Sequence, residues 1–241
     1  RGRPLSSEDV GQRRQGGRCV QRSIDLAHTM GVDVIVVHSG NVTNDMTLEN
    51  RLRTLYNAGS RGSEQFQALK AEMEQTRAAL VEPRLDAVKK SLLELLAYAG
   101  RFGIRLGLEN RYHYMDIPLQ DELEQLLALA SPDRLGFIYD VGHAQALDQL
   151  GFFPHAAWLE RFAARMFGAH LHDVIGATDH YAPGLGEIDF ASIAAYIPPT
   201  AFRTLELHPK NTPEQVHDSL RILADRGCVY PLEIPDQEES D

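Results

Sequence analysis

The run Leu135-Gly136-Phe137-Ile138-Tyr139-Asp140, followed by Val141-Gly142-His143, is apolar for most of its length and ends on a carboxylate. Three further segments end in the same way: Ile104-Arg105-Leu106-Gly107-Leu108-Glu109-Asn110, Met166-Phe167-Gly168-Ala169-His170-Leu171-His172-Asp173 and Phe202-Arg203-Thr204-Leu205-Glu206-Leu207-His208. Each reads as a buried strand that delivers a metal-binding side chain at its C-terminal end. One strand-end carboxylate carries little weight. Glu109 could be satisfied by a helix N-terminus, and Asp140 could merely cap the helix that follows. The succession Glu, Asp, His, Glu from four strands carries much more, because those side chains would meet around one divalent cation. A fifth run, Val32 to Gly40, is rich in β-branched residues and ends in His38.

Helical patterns fill the intervals. Leu85, Val88, Leu92, Leu95, Leu96 and Ala99 recur at steps of three and four, with Gly100 or Gly103 to stop the helix. Glu122 to Ala130 is similar and ends before Pro132; Trp158, Leu159, Phe162 and Met166 follow the same rule, as do Val216, Leu220 and Leu223 ahead of Gly227. Strand-helix alternation implies parallel strands joined by right-handed crossovers. Continuously apolar strands fit a sheet covered on both faces. The expected fold is α/β; if the sheet belongs to a (β/α)8 TIM barrel, as the resemblance given below implies, chemistry sits at the C-terminal strand ends. Asn41 to Leu80 is longer than an ordinary strand-to-helix loop. Its Leu48, Leu52, Leu55 and then Phe66, Leu69, Met73 and Leu80 predict two helical pieces inserted at about 41–80. A plain insertion on the barrel rim is the simpler reading, and a lid or subunit contact the sharper one.

The chain has 241 residues, 43% hydrophobic and 24% charged, which is ordinary globular usage. One domain over 1–230 and an acidic tail at 231–241 are expected. No apolar run approaches the ~20 residues of a membrane span. Cys19 and Cys228 are far apart and lack a partner motif, which suits reduced thiols in a cytoplasm. The net charge of −10 argues against a nucleic-acid partner, since phosphate contacts favour a basic footprint. The basic cluster from Arg1 to Arg22 reads as a solvated loop and helix face.

Carboxylate oxygens plus one imidazole suit Mn²⁺, Mg²⁺ or Co²⁺, with Zn²⁺ also open. The same segments carry a resemblance. Val36-Val37-His38-Ser39-Gly40, Leu108-Glu109-Asn110, Tyr139-Asp140-Val141-Gly142-His143, Gly168-Ala169-His170-Leu171-His172-Asp173, Asp179-His180 with Pro183-Gly184-Leu185-Gly186-Glu187-Ile188-Asp189-Phe190, and Thr204-Leu205-Glu206 resemble motifs of the xylose isomerase-like TIM barrels. That group holds sugar-phosphate isomerases and epimerases and is related to endonuclease IV. The resemblance implies that Glu109, Asp140, His170 and Glu206 bind a divalent metal. It also implies that Glu109 and Glu206 exchange protons with a carbohydrate substrate, passing through an enediolate. His143 would contact a substrate oxygen. His38, His172 and His180 join it as substrate-binding residues, with a supporting role behind the ligands open for His38 and His172. His172 shares the side of His170 by the period of two, and Asp179-His180 falls in a loop before Pro183, where a polar turn is the plain reading. His113, His155, His208 and His217 read as ordinary.

Alternatives stay open. An abasic-site nuclease of the endonuclease IV type needs extra zinc ligands, and Thr178 stands where a further Asp should be. A keto-inositol dehydratase would use nearly the same ligands. A catalytically inactive metal- or sugar-binding remnant is the reading outside enzymes. The basic residue that epimerases can place shortly after the metal His is replaced by Val174-Ile175-Gly176. The family barrel has eight strands and five are recognisable, with the His38 strand resembling the fourth. Leu5 to Arg18 reads as the loop after the third, so a fragment lacking the first three βα units is expected. A complete smaller domain would leave two unpaired parallel edges. A homo-oligomer is compatible with either.

Overall fold

The computed structural model describes residues 5–230. The acidic tail lies outside the described residues. Five strands make one parallel sheet in the order β1 (Val34–Val37), β3 (Arg105–Glu109), β5 (Leu135–Asp140), β6 (Met166–Leu171) and β9 (Phe202–Leu205). The partial barrel that the resemblance implies is therefore the fold. β5 is central and buried along its whole length. Its register pairs Asp140 with His170, and His170 pairs in turn with Thr204, so three neighbouring strands end at one level. Two short antiparallel pairs stand beyond the strand ends: β2 (Gly40–Asn41) with β4 (Asp116–Ile117), and β7 (Asp173–Ile175) with β8 (Thr178–Tyr181).

Helices α1 (Val10–Met30), α2 (Thr47–Asn57), α3 (Glu64–Ala99), α4 (Gln120–Leu127), α5 (Val141–Gln149), α6 (Ala156–Phe162), α7 (Phe190–Ala194) and α8 (Pro213–Asp225) connect the strands. The stripe from Leu85 to Ala99 is buried as its spacing predicts. α8 opens on Pro213 behind a Thr212–Gln215 capping box, a strong start signal.

The structure departs from the sequence reading in three places. Residues 5–18 are not all loop, because α1 starts at Val10, capped by the Asp9 side chain on the Gln12 N–H. Phe66 to Leu80 is not a separate piece. It runs through Pro83 into the Leu85 stripe as one helix of 36 residues, because apolar contacts on both sides outweigh the one backbone bond that proline removes. Asp179 and His180 lie on β8, not in a turn, with His180 in the left-handed region at φ 61°.

Buried charges fix the mouth above the strand ends. Arg77 of α3, 4% exposed, pairs with Glu122 and donates to the carbonyls of Tyr114 and Asp116 at 2.8 Å each. Glu49 of α2, 1% exposed, meets Arg53 at 2.9 Å and His113 at 2.8 Å. Arg53 then donates to the carbonyls of Tyr112 and Ala177. Helix α2 thus ties the loop after β3 to the β7–β8 hairpin.

Candidate metal centre

Glu109 is the last residue of β3, Asp140 the last of β5, His170 lies on β6, and Glu206 follows β9. One ligand atom from each falls within 4.8 Å of the others. Nδ1 of His170 lies 2.8 Å from Oε1 of Glu109, 2.8 Å from Oε2 of Glu206 and 3.7 Å from Oδ2 of Asp140. None of these contacts is a hydrogen bond by direction: Nδ1 of His170 and Oδ2 of Asp140 are both buried without a hydrogen-bond partner among the described residues. Buried polar atoms are ordinarily paired. Three carboxylate oxygens and one ring nitrogen aimed at a common point fit a divalent cation. The site also draws positive charge. Burial opposes a proton on His170, yet Asp140 and Glu206 lift its pKa to about 9.

The other oxygen of Asp140 is occupied. Oδ1 accepts the His143 N–H at 2.8 Å and lies 3.0 Å from Nε2 of His172. Oδ1 thus caps α5, and Oδ2 is left facing His170. Asn110 holds the same strand end, donating to the Asp140 carbonyl and accepting its N–H, each at 2.8 Å.

The remaining predicted residues divide by exposure. His38 stands at the open mouth, 59% exposed in its side chain, with Nε2 3.1 Å from Oε2 of Glu109. His143 is nearly buried. Its Nδ1 lies 2.9 Å from the Asn110 carbonyl, and burial drives its pKa down to about 4. It is neutral at pH 7, and Nε2 is the ring's acceptor. His180 pairs with Asp179 at 2.9 Å and Glu206 at 3.5 Å, and these carboxylates raise its pKa to about 10. His172 is fully buried. Its ring lies flat beneath His180, centroids 4.3 Å apart, so it faces Asp140 and not the mouth.

The family profile described as the xylose isomerase-like TIM barrel matches residues 1–226. This chain belongs to that family. No curated protein sequence matches it. Among solved structures it is similar to a D-tagatose 3-epimerase-like protein, with TM-score 0.66 and 21% identity over 92% of this chain and 72% of that one. It is also similar to the E. coli 3-keto-D-glucoside 4-epimerase, at TM-score 0.63 and 16% identity over 92% and 75% of the two chains. A third likeness is to the IOLI protein with a zinc atom bound, at TM-score 0.60 and 14% identity over 90% and 69%. At these identities the likeness establishes the fold.

Within this xylose isomerase-like barrel, Arg111 and Asp173 have contacts to which the sequence reading assigned no role, and Asp179, read as part of a polar turn, has one too. Arg111, two positions beyond Glu109, forms an ion pair with its Oε2. Asp173, 1% exposed, accepts the N–H groups of Val174, Gly184, Gly186 and Ile188 on its two oxygens, which accounts for the glycine-rich Pro183–Ile188 stretch. A Cβ at Gly186 would collide with the Val174 carbonyl, so only glycine lets that loop close. Asp179 approaches Nε2 of His143 to 3.6 Å, so His143, Asp179 and His180 make a second group with ligand atoms within 4.8 Å. Among the described residues no helix is long and apolar enough to cross a membrane.

Proposed function

We propose that this chain is a divalent-metal-dependent isomerase or epimerase of a sugar or sugar phosphate. The convergence of Glu109, Asp140, His170 and Glu206 within 4.8 Å carries this reading. When bound by those four, Mn²⁺, Mg²⁺, Co²⁺ or Zn²⁺ would polarise a substrate carbonyl and acidify the adjacent C–H.

The proton is handled by this chain's own carboxylates. Glu109 and Glu206 reach the centre from β3 and β9, strands that flank the β5–β6 pair. One takes the proton from carbon, the substrate becomes an enediolate, and a carboxylate returns a proton to the neighbouring carbon or the opposite face. Glu206 is the accessible one, 47% exposed against 2% for Glu109. The neighbouring imidazoles of His170 and His180, 2.8 and 3.5 Å away, hold its pKa well below the usual carboxylate range. A carboxylate held so low is a weak base. Displacing the protons of both His170 and His180, one by the cation and the other by a substrate oxygen, would restore its basicity. His143, neutral, accepts a hydrogen bond from a substrate hydroxyl. His38, on the opposite rim, borders the same opening.

A second reading keeps one observation. Asp179 supplies a carboxylate beside His143 and His180, a second ligand group of the kind an abasic-site nuclease needs, although Thr178 stands where its further Asp should be. One experiment separates the two. The Mn²⁺-loaded protein is incubated with a panel of ketoses, aldoses and their phosphates in D₂O, and with abasic-site DNA in parallel after zinc loading. Deuterium on the carbon beside the carbonyl, suppressed in Glu206→Gln, supports the proposal. DNA incision without sugar exchange transfers the assignment to the nuclease. Neither activity favours a binding protein without turnover.

A further inference from the structure

The two oxygens of Glu109 face different partners. Oε1 lies 2.8 Å from Nδ1 of His170, on the side where Asp140 and Glu206 converge. Oε2 is gripped by the guanidinium of Arg111, with His38 at 3.1 Å. Arg111 stands between the carboxylates of Glu109 and Asp116. Its side chain is 16% exposed and its Nε stands 3.8 Å from Oδ2 of Asp116. Asn110, next to it, is bonded to Asp140 through both ends of its amide. Asp116 has its own carbonyl bound by the buried Arg77. A fixed positive charge therefore sits behind a carboxylate whose front belongs to the metal centre.

Resting on the metal-centre reading above, we infer that Arg111 is a positioning residue that turns Oε1 of Glu109 toward the cation and holds down the affinity of the centre for divalent ions. Two effects act together. The guanidinium draws negative charge toward Oε2 and away from the ligand oxygen. It also repels a dication on the far side of the same carboxylate, and like charges a few ångströms apart at partial burial shift an equilibrium constant by about tenfold or more. Metal centres of this composition usually gain affinity from their surrounding hydrogen bonds; here one neighbour works in the other direction. The consequence is an ion that exchanges readily, with Glu109 kept in one orientation whether or not the ion is bound.

The test is calorimetric titration of Mn²⁺ into chelator-stripped protein: wild type, Arg111→Met, Arg111→Gln and Arg111→Lys, each checked by its thermal melt. The neutral variants should bind Mn²⁺ about tenfold or more tightly than wild type, and the lysine variant should gain less. A gain in affinity is not what damaged structure produces. Adding Asp140→Asn to Arg111→Met should abolish the gain, locating it at this centre. Neutral variants that bind Mn²⁺ no more tightly than a wild type that does bind it would overturn the role of Arg111 and leave the metal centre standing. A gain that survives Asp140→Asn would also overturn it. Silence from wild type and all variants at millimolar Mn²⁺ would remove the metal centre and this inference together.

Discussion

Nε2 of His172 lies 3.0 Å from Oδ1 of Asp140, and neither residue is exposed at all. Nδ1 of the same ring accepts the His180 N–H at 2.9 Å. The ring proton is therefore assigned to Nε2, where it donates to Asp140. That bond turns the carboxylate so that Oδ2 faces His170. His172→Ala removes no ligand from the group of four, yet it frees Asp140 to rotate. Outer hydrogen bonds of this kind are worth about 10–100-fold in metal affinity. Mn²⁺ titration should show a loss of that order, and an affinity equal to wild type would mean that His172 does not orient Asp140.

The same pair explains Gly142. It lies in the first turn of α5, where alanine is preferred over glycine by about 1 kcal/mol on helix propensity alone. A Cβ there would strike the His172 ring. Gly142→Ala should therefore destabilise, by about 1–3 kcal/mol for an overpacked site, against the sign that propensity gives. Urea melts decide it. A more stable alanine variant would show that His172 can move at no cost.

His155 gives a pH dependence away from the metal centre. Burial lowers its pKa from 6.5 to about 4. Nδ1 is satisfied by Gln145 at 2.6 Å and Nε2 by the Tyr139 hydroxyl. Above pH 6.5 the group is neutral folded and unfolded. Below it the unfolded chain takes up a proton first, so stability falls as pH drops from about 6.5 toward about 4. Urea midpoints at pH 7 and pH 5 should differ more for wild type than for His155→Gln. Equal losses in the two proteins would mean that His155 titrates normally in the fold.

The convergence of the four side chains was legible because they sit where strand periodicity ends. Glu109, Asp140, His170 and Glu206 each close an apolar run, and parallel strands in register bring such ends to one level. Arg111 was not legible. A cation two residues past a ligand looks like loop, and its direction depends on Asn110 binding β5 and on Asp116, which comes from β4. The orientation of His172 was half legible: its period placed it beside His170, but the overlying His180 that buries it comes from a hairpin the sequence presents as a turn. α1 was hidden by Gly11, Gly16, Gly17 and its arginines, with Gly16, Ile24 and Ala27 its only buried residues. Pro83 hid the continuity of α3, since a proline normally marks a helix boundary.

We propose that Glu109, Asp140, His170 and Glu206 together hold one divalent cation. Crystals soaked in Mn²⁺ and measured for anomalous scattering test it most directly. A single strong peak among those four side chains, at roughly 2.0–2.3 Å from an oxygen or nitrogen of each, is the predicted result. Anomalous density only elsewhere on the protein, or none at saturating Mn²⁺ with the four side chains unshifted, would contradict it.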